Sequence, residues 1–224
     1  MALQINNWNE NNKSNQRLKS DLLEVRTELN SDQKRLDSVM NIVDRIDKAG
    51  KYLLDYLAEQ PKTIDSAKVQ EAIVSVTILA SFGKSNAAYQ NLLNNGNYQL
   101  VKNKTLKKKL GFFHNTKDWN SAYHDGPLLT SYYEYIRKIH NYVKPGFIRK
   151  SYESNWSKKS EPITQESPFN STVDFDKLND GAELISLLDQ VQVGSYIQKI
   201  YYAIIKKDIE ELIQLIDDEI QSIK

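Results

Sequence analysis

From Leu18 onward the apolar residues return in alternating steps of four and three: Leu18, Leu22, Val25 and Leu29, then Leu36, Val39, Val43 and Ile46. A repeat of this kind held over about four heptads is the signature of a helix lying along partner helices at a shallow angle. It predicts a helix over residues 14–49, on the order of 50 Å long at the usual rise per residue. Asp32 alone breaks the seam, standing where an apolar residue is due. A buried carboxylate there can specify register, but a gap in the seam that faces water costs less, and a solvated Asp32 is the expectation. Gly50 either kinks or ends this helix, after which Tyr52, Leu53, Leu54 and Leu57 carry an apolar face to a stop at Gln60 and Pro61.

The rest of the chain reads as helices too. Asp65 or Ser66 can cap a second one, whose Val69, Ile73, Val76 and Ala80 form an inward stripe. Its β-branched run, IVSVTIL, also suits a strand, but no second strand-like segment exists to pair with it. Residues 85–110, SNAAYQNLLNNGNYQLVKNKTLKKKL, then read as helix, tight corner, helix. Ala88, Leu92 and Leu93 share one face, Asn94-Asn95-Gly96 supplies a left-handed stop, and Asn103 can cap a helix carrying Leu106 and Leu110. Phe113, Trp119 and Tyr123 extend an aromatic-rich half, and Gly126-Pro127 should interrupt it before Leu128, Leu129, Tyr132, Tyr135, Ile136 and Ile139. Residues 144–174 hold Pro145, Pro162 and Pro168 without any sustained period, which predicts a long surface loop with a short ordered piece at residues 147–156.

From Phe175 the helical period returns, with Asp180 as a capping residue. Leu184, Leu187, Leu188, Val191, Ile197, Ile200, Tyr201, Ile204, Leu212, Ile213, Ile216, Ile220 and Ile223 run to the C-terminus, with Gly194 as the weak point. Two long helices at the ends of one chain are expected to pair antiparallel. The expected fold is therefore all-α: an elongated helical bundle whose long N- and C-terminal helices pack antiparallel around shorter central helices. Residues 1–13 read as a juxtamembrane segment and residues 14–224 as a single domain.

Composition removes whole classes of function. Thirty basic residues against 29 acidic leave a net charge of +1, too weak a field to gather nucleic acid or an anionic membrane. The absence of cysteine excludes disulfides, thiolate metal sites and cysteine nucleophiles. Eight glycines and five prolines in 224 residues are too few for a turn-rich β protein. No run approaches the roughly 18 apolar residues of a spanning helix.

Three groups of residues invite chemistry. His114 and His124 with Asp118 or Asp125 could gather a metal or serve a hydrolase or nucleotide-processing site within residues 112–142, yet no paired-histidine or HExxH spacing is present there or around His140. Ordinary surface or half-buried histidines are expected. The run Lys102, Lys104, Lys107, Lys108 and Lys109 opens a helix, where anions such as phosphate or a lipid headgroup are favoured; a solvated basic face is the plainer reading. Tyr132, Tyr133, Tyr135 and Tyr142 could line a ligand pocket, but their helical spacing fits core packing better. No catalytic, cofactor-binding or metal residue is assigned.

One stretch points to a setting. MALQINNWNENN ahead of the heptad helix, AAYQNLLNNGNYQLVKN at the corner, and IEELIQLIDDEIQ near the end together resemble an uncharacterised family of bacterial single-pass membrane proteins, a domain of unknown function. In that family a short basic segment and one hydrophobic helix come first, and the ALQINNWNE-type stretch is where that helix leaves the bilayer. The resemblance covers most of the chain, is weakest over residues 115–174, and departs from the aliphatic family pattern at Asn97-Tyr98. It implies that the membrane anchor has been cut away before Met1 and that, by the positive-inside rule, the domain lies on the periplasmic side of the inner membrane. A binding, sensor or scaffold role with a protein partner or small ligand is the resulting expectation. A coiled-coil oligomer, burying the seam of residues 18–46 against another chain, is the alternative from a different class.

Overall fold

In the computed structural model the heptad seam belongs to a single helix, α1 (Ala2–Glu59), which continues without a break through Gly50. The structure describes residues 2–59, 63–116, 127–151 and 173–223. The predicted stop at Gln60-Pro61, with Trp119, Tyr123, His124, Asp118, Asp125, Gly126 and most of the 144–174 loop, lies outside these. After α1 come α2 (Ser66–Val76), α3 (Ala87–Asn94), a 3₁₀ turn (Asn97–Leu100), α4 (Lys104–Asn115), α5 (Pro127–Ile139), α6 (Phe175–Asn179) and α7 (Ala182–Ser222). Residues 147–151 are also helical. Among the described residues there is no strand, only an isolated antiparallel bridge between Val143 and Val173.

The local signals act as their chemistry requires. The Asp65 carboxylate accepts from the Lys68 amide to open α2, and Asn103 accepts from the amides of Thr105 and Leu106 to open α4. Gly96 takes φ 73° between α3 and the 3₁₀ turn, a left-handed conformation that suits glycine. Pro127 begins α5, where its missing N–H leaves no bond unmade. Asp180 ends the short α6, whose own cap is Asp174, and Gly181 leads into α7: a Cβ there would lie 2.9 Å from the Leu178 carbonyl.

Two compact units share the long helices. The first comprises residues 2–39, 82–116 and 201–223; the second, residues 40–59, 63–81, 127–151 and 173–200. In the first, Arg26 pairs with Asp217 at 2.7 Å, Gln33 donates to Glu210 at 3.1 Å and Lys206 donates to Asp37 at 2.7 Å. Each step forward on α1 meets an equal step back on α7, so the two run antiparallel. Leu18, Leu22, Val25, Leu29 and Leu36 are all buried, sharing the unit's core with Leu92, Leu106, Leu110, Tyr202, Ile209 and Ile216. In the second unit Lys199 bridges Asp44 and Asp47 at 2.9 and 3.1 Å. Its core holds Val43, Ile46, Leu53, Ile73, Tyr135, Ile139, Leu184 and Leu188.

Three expectations require correction. Asp32 is fully buried rather than solvated. The helix α2 stops at Val76, short of Ala80, and residues 78–86 have no regular structure. The inward face of α7 is also rotated from the expected one: Ser195, Gln198, Tyr202, Ile205 and Ile209 are buried, while Ile200 and Ile204 are exposed. The second and third corrections have one cause. A buried irregular segment must have its backbone polar groups satisfied from elsewhere. Gln198 donates to the Ala80 carbonyl at 2.6 Å, the Tyr202 hydroxyl accepts from the Phe82 amide at 3.0 Å, and the Tyr132 hydroxyl donates to the Thr77 carbonyl. Side chains with polar tips therefore occupy positions that hydrophobicity alone would give to isoleucine.

Candidate functional site

The corner at residues 85–110 is held by carboxylates that reach in from the long helices. On α1, Asp32 accepts from the Ser85 amide at 2.8 Å and the Ser85 hydroxyl at 2.7 Å, and also pairs with Arg35. One turn earlier Glu28 accepts from the Ala88 amide at 3.0 Å in the first turn of α3, and Asp21 accepts from Asn97 at 2.8 Å. On α7, Glu219 takes the Lys102 and Asn103 amides at 2.6 and 3.2 Å where α4 begins. Negative charge is favoured at such helix starts because their first amides lack intrahelical partners. The anion position at the head of the lysine run is thus filled by the protein itself. Lys107 turns back to the Gln99 carbonyl at 2.9 Å, Lys109 pairs with Glu211, and Lys102, Lys104 and Lys108 are exposed.

The tyrosine group divides. Tyr132, Tyr135 and Tyr142 are buried, while Tyr133 is 56% exposed. Tyr142 donates to Glu183 at 3.2 Å, and Tyr135 sits in the core with no partner for its hydroxyl among the described residues, its pKa pushed far up by burial. Apart from exposed Tyr133, these are core residues with polar tips rather than the lining of a cavity.

His114 is the one candidate histidine with a defined environment. It stacks on Tyr89, with ring centroids 4.3 Å apart and planes 6° from parallel, and meets the edge of Phe113. Both ring nitrogens are buried without hydrogen-bond partners among the described residues. Burial, reinforced by the nearby Lys84 ammonium and opposed by Asp32, lowers its pKa to about 4. The ring is neutral at pH 7 and, among the described residues, no acid is hydrogen-bonded to it; a general base of the histidine–aspartate type requires such a bond. His140 is exposed. Among the described residues no three of His, Asp and Glu gather as a metal site.

A different group of residues converges in the second unit. On α1, Arg45, Lys48, Ala49 and Tyr52 fall on one face, and on α2, Lys68, Glu71, Ala72 and Ser75 repeat the same spacing. The two faces line a groove of about 170 Å³. The Lys68 ammonium lies 4.3 Å from the centre of the Tyr52 ring. In the sequence each stripe alone reads as an ordinary solvated helix face; only the meeting of α1 with α2 makes them one surface.

Comparison with protein-family models, with curated protein sequences and with solved structures returns no match.

Proposed function

We propose that this chain is the extracytoplasmic binding or scaffold domain of a membrane-anchored bacterial protein, carried at the periplasmic face of the inner membrane by the helix that opens it. The observation behind this reading is the reach of α1. Residues 8–13 are exposed on every side, Trp8 at 65%, and the first buried side chain of the seam is Leu18. A helical stretch with no packing partner is marginal in water on its own. Continuation into a bilayer helix would stabilise it and would place the Trp8 indole near the headgroup layer that such rings prefer.

Binding as the mode of action is supported by the second unit, where α7 presents Val193, Tyr196 and Ile200 at helical spacing, 47%, 62% and 46% exposed. Apolar side chains grouped in this way on a surface suit a partner protein. Among the described residues no helix is long and apolar enough to cross a membrane. The test is fractionation of the natural full-length protein with protease added from the outer side. Recovery with membranes and digestion by external protease is expected; an anchor-free cytosolic product would overturn the reading.

A further inference from the structure

The geometry points to the groove between α1 and α2 as a binding site for a phosphate group, carried either by a small soluble ester or by a lipid headgroup. This gives the binding role proposed above a ligand class, and it rests on that reading only for its biological setting. Arg45, Lys48 and Lys68 line the groove with Glu71 as its single carboxylate. None of the three cations has an ion-pair partner among the described residues, whereas Lys199, Lys206, Lys138, Lys109, Arg26 and Arg35 are all paired. Of the neighbouring acids, Asp44 and Asp47 share the single ammonium of Lys199, and Asp65 keeps its charge while accepting from the Lys68 amide.

The lining of the groove itself sets three cations against one carboxylate. A phosphate group, singly charged as a diester and about −1.5 to −2 as a monoester near neutral pH, is the kind of anion such a set of donors suits. The guanidinium of Arg45 offers the forked donor geometry that phosphate oxygens accept, and the two ammonium groups add point charges from both helices. Lys68 is held over Tyr52, so its position is set before any ligand arrives, and the ring beside it offers an apolar face to the carbon skeleton of an ester.

Titration calorimetry with inorganic phosphate and with glycerol 3-phosphate, together with flotation on phosphatidylcholine vesicles with and without phosphatidylglycerol, tests the site. Saturable binding to the soluble anions, or capture by the phosphatidylglycerol vesicles, is expected, and which of the two occurs identifies the source of the phosphate. Arg45→Gln and Lys68→Gln should each weaken it at least tenfold without shifting the melting temperature, since both side chains are exposed. No binding to any of these probes, or binding that survives both substitutions unchanged, overturns the proposal. Neither result touches the membrane-anchored reading, which fractionation decides separately.

Discussion

His114 shows how one side chain can tie the stability of its surroundings to pH. Unfolded, it titrates near 6.5; in the first unit burial against Tyr89 and Phe113 holds its pKa at about 4. Between these values the unfolded chain binds a proton that the native state refuses, so stability is complete above pH 6.5 and falls as pH drops towards 4. With its partial exposure discounted, the loss should be about 1–2 kcal/mol. Urea denaturation at pH 7 and pH 4.5 checks this, with His114→Phe as reference. The variant keeps an aromatic partner for Tyr89 and should lose less stability than the parent over the same interval.

The starts of α3 and α4 are tied down by acids that belong to the long helices. Asp32 binds the Ser85 amide and hydroxyl just before α3, Glu28 binds Ala88 within its first turn, and Glu219 binds the two amides that lead into α4. Removing such a carboxylate leaves part-buried donors short of a partner. Asp32→Ala should therefore cost roughly 1–3 kcal/mol, read as a lower urea midpoint. The same substitution at exposed Asp218 should change stability by less than about 0.5 kcal/mol. The caps at Asp65 and Asn103 and the left-handed glycine at Gly96 were legible because each acts within a few residues of itself. The clamps were not, because Asp32 lies 53 residues from Ser85 and Glu219 lies 117 from Lys102.

Across the whole molecule, the all-α architecture rests on α1 and α7 contributing to both units. The seam is consumed within one chain: Leu18, Leu22, Val25, Leu29 and Leu36 are at most 2% exposed. Little of the apolar edge formed by these five residues remains exposed. Leu22→Ala should accordingly lower stability by roughly 2–5 kcal/mol. Its melting temperature should be the same in dilute and concentrated solution, because mass action enters only when folding requires association. A melting temperature that climbs with protein concentration would show the seam to be intermolecular after all.

The period of Leu18 to Ile46, the scarcity of glycine and the capping residues determined by themselves that this chain is helical, that it begins and ends in long helices, and where the 85–110 corner turns. Those properties depend on neighbours three, four or seven positions away. The buried face of α7 across Ser195 to Ile209, the burial of Asp32 and the meeting of Arg45, Lys48 and Tyr52 with Lys68 were decided only by the tertiary structure. The reason is that unsatisfied backbone groups and unpaired charges are settled by whichever residues folding brings beside them, however far apart along the chain.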